Sequence, residues 1–183
     1  MDPIERVELA TAVASEKIKG VNPGAMSLPT PCSEFDVRAL LDHVIGNLSM
    51  LITAAGGGKA EIPQGHQFGS DPAGVYAERR SRLLDTIQSP GVLDRTWEMP
   101  FGNMPGQMMA GIAFFEHLIH AWDIAKATNQ DATLPADLVS ECWELVTPMD
   151  AMLRMPDVCG PAVNEPESAA LQDKLIAFLG RNP

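Results

Sequence analysis

Apolar residues recur at helical spacing in six separate stretches of this chain and hardly ever alternate as they would along a strand. Ile4, Val7, Ala10, Ala14 and Ile18 mark one face of a helix over about residues 3–19, opened by the cap pair Asp2-Pro3 and closed by Gly20 and Pro23. A stronger period follows the Asp36 cap, where Val37, Leu40, Leu41, Val44, Leu48, Leu51 and Ile52 share a face until the Gly56-Gly57-Gly58 run. A weaker third helix starts at Ser70-Asp71-Pro72 and carries Tyr76, Leu83, Leu84 and Ile87.

Residues 89–107 hold three prolines and three glycines, too irregular for a helix, with Thr96 to Met99 as a short extended piece. The fourth helix begins near Pro105, and from Met108 to Thr128 it is apolar nearly all round on its first turns. Such a helix is expected to be the most buried of the set, so its interior polar residues need a reason to be there. A fifth starts near Pro135, kinks at Pro148 and ends before Pro156, and a short sixth spans about Ser168 to Leu179. The fold class is therefore all-α, a helical bundle in one domain over residues 1–183, with 159–183 as a C-terminal tail containing the short helix.

Charge narrows the partners. With 13 Lys and Arg against 24 Asp and Glu, the net charge of −11 repels phosphate backbones and anionic lipid. Neither nucleic acid nor a membrane is an expected partner. No apolar run approaches the roughly 20 residues of a membrane span, and the opening MDPIERVELA is acidic where a signal peptide is basic, so a cytoplasmic location is expected. Cys32, Cys142 and Cys159 are odd in number and widely spaced, which fits a reducing compartment rather than a disulfide framework.

On the fourth helix Glu116 and His120 stand at i and i+4, on one face, which is a spacing suited to two ligands of one ion. A buried carboxylate without a partner is costly, and a divalent cation removes that cost by taking carboxylate oxygen and neutral imidazole nitrogen together. A third ligand must come from another helix. His43, in line with Leu40 and Asn47 at the edge of the second helix's apolar face, is the best placed. Two other readings stay open on the residues alone. His117 and His120 form an i, i+3 pair with Glu116 solvated, or each histidine is a core-edge residue bonded to a backbone carbonyl.

Three segments carry a resemblance. TPCSEFDVRALLDHVIG (30–46), RTWEMPFGNMPG (95–106) and HLIHAWDIAKATNQ (117–130) are similar to the mycothiol-dependent maleylpyruvate isomerase N-terminal domain family, part of the DinB-like superfamily. The tail LQDKLIAFLGRNP (171–183) resembles the end of single-domain actinobacterial members. The resemblance implies a DinB-like up-down four-helix bundle with additional short helices, and a metal held by His43, Glu116 and His120. It also implies mycothiol as a co-substrate. Phe35 stands where the family usually has Trp. Maleylpyruvate isomerases carry a second, C-terminal domain that has no counterpart in these residues, so the expected chemistry stays at the level of an isomerase or S-transferase.

The ion is expected to be zinc, with nickel or another first-row metal as the alternative, because two imidazoles and a carboxylate do not choose sharply among them. The expected partners are a small electrophilic substrate and a low-molecular-weight thiol, with a homodimer as a candidate assembly. A metal-dependent hydrolase using Asp123 or His66 as base, and a non-enzymatic metal-binding module, are the competing classes. Asp123 is also placed to orient His120. Arg79, Arg80 and Arg82 read as an exposed charged face, with a grip on a substrate carboxylate as the alternative, Cys32 as a small packing residue, and the methionines as core filler.

Overall fold

A computed structural model describes residues 1–155 and 158–183 and is mostly helical. The elements run α1 (Pro3–Lys19), α2 (Val37–Ala55), α3 (Pro72–Ile87), β1 (Thr96–Met99), β2 (Gly102–Pro105), α4 (Gly106–Ala127), α5 (Ala136–Val146), α6 (Asp150–Leu153) and α7 (Leu171–Phe178). Asp2, Asp36 and Asp71 each accept hydrogen bonds from backbone N–H groups of the helix they open, satisfying donors that a helix start leaves free.

The four long helices share one core. α1 packs on α3 and α4, and α2 packs on the same two. Small buried residues on α1, Ala10 and Ala14, let helices approach closely, while Leu40, Leu41, Leu48, Phe114 and Leu118 fill the centre. Among residues 113–125 of α4, only Glu116 is not buried. Among the described residues, no helix is long and apolar enough to cross a membrane.

Two local features depart from the sequence reading. The irregular stretch before α4 is a complete hairpin: Gly102–Pro105 pairs antiparallel with Thr96–Met99, with Met99 opposite Gly102. The two-residue loop Pro100-Phe101 needs a left-handed residue next to it, and Gly102 adopts φ 117°. The expected kinked helix from 135 to 155 is instead broken, with α5 ending at Val146, a 3-10 turn over Thr147–Met149, and α6 following. Pro148 has no N–H to give and its ring meets the carbonyl four residues back, so the helix stops rather than bends. Pro156, the expected stop, lies outside the described residues.

The chain end is held by a glycine. After α7, Gly180 takes φ +84°, its N–H bonds to Ala177 O at 3.0 Å, and the Arg181 N–H bonds to Ile176 O at 3.1 Å. This pairing closes the helix and turns Arg181 back over the body of the protein. A Cβ at position 180 would lie 3.0 Å from the Gly160 carbonyl oxygen, a second reason for glycine.

Candidate metal centre

Helix periodicity puts Glu116 and His120 on one stripe of α4, and the packing of α2 on α4 brings His43 across to them. One ligand-type atom from each of the three lies within 4.8 Å of the other two. His43 Nε2 donates to Glu116 Oε2 at 3.1 Å, and His120 Nε2 stands 3.9 Å from the same oxygen. Asn47 Nδ2, one turn beyond His43, also donates to that oxygen at 3.0 Å. The Phe35 ring stacks on His43 at a centroid distance of 5.1 Å and fixes the plane of its imidazole.

Asp123 sets the tautomer of His120. His120 Nδ1 donates to Asp123 Oδ2 at 2.9 Å, which leaves the Nε2 lone pair facing Glu116, the arrangement seen where an imidazole ligates an ion. Asp123 is fully buried, and its charge is balanced from the C-terminus: Arg181 Nη2 donates to Oδ2 at 3.0 Å. Burial pushes the Asp123 carboxyl up, but the hydrogen bond from His120 and the charge of Arg181 outweigh it and hold the pKa below the usual range. Arg181 is pushed down by burial and more strongly up by Asp123. The pair accounts for a buried acid without any ion.

A second group of ligand-type atoms comprises Cys32, His120 and Asp123. It fits a cation less well, because Asp123 is already neutralised by Arg181 and burial pushes the Cys32 thiol up, away from the thiolate that binds metal. The donors of His43, Glu116 and His120 fit a divalent ion better: two imidazole nitrogens and a carboxylate converge, and among the described residues neither Lys nor Arg pairs with Glu116.

Beside these donors lies a cavity of about 180 Å³. It reaches from His43 and Glu116 to Phe101 at the hairpin tip. His117 borders it but is not one of the converging donors. Its Nδ1 is 3.0 Å from the buried Tyr76 hydroxyl, and burial pushes its pKa down to about 3.

The other residues singled out in the sequence sit elsewhere. His66 is exposed and bonds Asp42 at 3.0 Å. Arg79 donates to the Ile45 and Gln67 carbonyls, and Arg80 to Thr11 Oγ1 and the Glu8 carbonyl, so these two tie elements together rather than form an exposed face; Arg82 is exposed and stands 3.6 Å from Glu78. Met99 and Met109 are core residues, whereas Met108 and Met155 are exposed. Cys32 is half-buried and lines a separate cavity of about 260 Å³ with Cys159 and Arg181. Arg181 was not anticipated, since nothing near it in the chain signals a partner 58 residues away. Asn47 carried a readable signal, its i, i+4 relation to His43.

One consequence concerns acid stability. Desolvation raises the Glu116 pKa, but the hydrogen bond from His43 and the charges of His120 and His43 overcome it and bring the value from 4.5 to about 2. A depressed folded pKa stabilises the protein fully above the unfolded value and loses that contribution as pH falls through the folded one. In metal-free protein, Glu116→Gln is therefore expected to flatten the stability curve between pH 4.5 and about 2, measured as urea midpoints across a pH series. Parallel curves for the two proteins would show that Glu116 is not coupled to the histidines.

Two proteins of Mycobacterium tuberculosis are similar to this chain along nearly its whole length. They are uncharacterized protein MT0763 of strain CDC 1551 / Oshkosh and uncharacterized protein Rv0738 of strain ATCC 25618 / H37Rv. Each is 30% identical over 191 aligned residues, covering 99% of this chain and 98% of the relative. No family model and no solved structure matches the chain. With that identity over its full length, the chain belongs to the family of these uncharacterized mycobacterial proteins.

Proposed function

We propose that this protein is a metal-dependent enzyme with a DinB-like four-helix bundle. It would use a low-molecular-weight thiol, mycothiol, in an isomerase or S-transferase reaction on a small electrophile. The observation that carries the reading is the convergence of His43, Glu116 and His120 donor atoms within 4.8 Å, beside a cavity. The pairing of α1 and α2 each with α3 and α4 supports the bundle, and the similarity of residues 30–46, 95–106 and 117–130 to mycothiol-dependent isomerases supports the thiol.

His43, Glu116 and His120 would hold the ion, zinc by first choice, with nickel or another first-row metal as the alternative. When bound, the ion supplies an acidified site at which a thiol becomes a thiolate nucleophile near neutral pH. Asp123 keeps His120 in the ligating tautomer, Asn47 and Phe35 orient Glu116 and His43, and the cavity admits the substrate. The hydrolase reading has less support, because Asp123 is engaged by His120 and Arg181, and His66 is exposed and is not among the residues that line the cavity.

Cobalt makes the distinction visible. Adding mycothiol to the cobalt-loaded protein is expected to produce a sulfur-to-cobalt charge-transfer band near the ultraviolet edge. A spectrum unchanged by saturating amounts of several thiols, mycothiol included, would overturn the thiol mechanism.

A further inference from the structure

The cavity beside Glu116 follows the seam between α2 and α4. Its walls step along both helices at helical spacing, through His43, Asn47 and Met50 on α2 and through Glu116, Ile112 and Met109 on α4. Both runs head toward the hairpin. The end of α2 meets it, where the Ala55 carbonyl accepts from Arg95 and the Ala60 N–H donates to the Glu98 carbonyl, and α4 begins where the hairpin ends. From Glu116 to Met109 is roughly 10 Å of helix.

The chemistry changes along that length. His43, Asn47 and Glu116 make one end polar, and Met50, Met109 and Ile112 make the other apolar, with Phe101 beside them from the hairpin tip. Phe101 is 60% exposed, although the two-residue loop it occupies is a usual place for Gly or a polar residue. A single exposed apolar side chain needs no partner, but Phe101 shares one concavity with the half-buried Met50 and Ile112. The space of about 180 Å³ suits one ring, since an apolar cavity of ~150 Å³ holds benzene.

We infer that the cavity receives the apolar arm, about one aromatic ring in size, of a substrate whose polar head lies at His43 and Glu116. Phe101 is then a specificity-determining residue, the wall that sets which arms fit. The identification of this molecule as the substrate, with its head at a metal ion, rests on the function proposed above. The arm site follows from the walls alone. An ion at the donors would receive an anionic head as well as a neutral one, so the cavity selects the arm and not the charge of the head.

Two hydroxamates with the same metal-binding head test it. Acetohydroxamate and phenylacetohydroxamate are titrated calorimetrically into zinc-loaded protein, with metal content measured on the same samples. Phenylacetohydroxamate is expected to bind at least about tenfold more tightly, as burial of a phenyl-sized group gives. Phe101→Ser, at an exposed tip outside the hydrophobic core, should lower that ratio severalfold while acetohydroxamate affinity and zinc content stay as they were. A ratio near one in the unaltered protein would overturn the arm site and leave the metal-dependent reading standing, and an unchanged ratio in Phe101→Ser would overturn the role of Phe101. Affinity for phenylacetohydroxamate that falls as protein concentration rises would place a second copy in the cavity and overturn the small-molecule assignment. If the protein retains no zinc, toluene, a ring without a head, decides. Toluene binding that Phe101→Ser weakens would end the metal-dependent reading and leave the arm site standing, whereas no toluene binding would overturn the arm site.

Discussion

Replacing His120 with alanine is expected to abolish stoichiometric binding of a divalent ion, and replacing His43 to do the same. His120 is the most constrained of the three donors: it is 6% exposed, its Nδ1 is held by Asp123 at 2.9 Å, and its Nε2 faces Glu116. Its loss leaves two donors on two helices, too few to outcompete water for a cation. The fall in affinity should exceed the roughly 10–100-fold that removal of a merely orienting partner costs. His66→Ala is the control, since that ring is exposed and bonds Asp42, and His117→Ala is a second, since its ring faces Tyr76. Elemental analysis after dialysis reads the result. Full occupancy in the His120→Ala protein would end the ligand assignment.

The second large effect is on folding. Arg181→Met should cost about 3–5 kcal/mol in urea denaturation, because it keeps the side-chain volume but strands Asp123 as an uncompensated buried charge. Asp123 has no exposure and Arg181 is 8% exposed, so the pair is shielded from bulk solvent. Adding Asp123→Asn to Arg181→Met should return much of the lost stability, since the charge is then gone from both sides. Asp123→Asn alone should also weaken metal affinity by roughly 10–100-fold, through the freed His120 ring. A cost below about 1 kcal/mol for Arg181→Met would mean that the pair contributes no more than a surface ion pair does. The tail that carries Arg181 would then have no part in supporting the site.

Much of this was legible in the sequence because it depends on neighbours a few residues apart. The Asp2, Asp36 and Asp71 caps, the glycine stops and the 3.6-residue period place α1 to α4 within about a turn of where they lie, since capping and amphipathicity are local properties. Glu116 and His120 share a face by the same arithmetic. Pro148 announced a disturbance but not its form, because whether a helix bends or breaks depends on what packs against the next turn. The hairpin partner Gly102–Pro105 was hidden because a four-residue strand rich in Gly and Pro has almost no periodicity to read.

The tertiary structure decided which faces meet. Periodicity says that His43 lies at the edge of an apolar face, but only the packing of α2 against α4 brings its Nε2 to 3.1 Å from Glu116. The sequence offered Asp123 both as a base and as the orienting partner of His120; complete burial and the bonds to His120 Nδ1 and Arg181 favour the second. Arg181 reaches Asp123 because Gly180 reverses the chain and α7 docks beside α5, a contact between residues 58 positions apart. The buried Nε2 of His117, which meets no hydrogen-bond partner among the described residues, is of the same kind. Local sequence sets the direction in which a side chain leaves its helix, whereas the atom it meets belongs to a distant part of the chain, brought there by burial of the shared core.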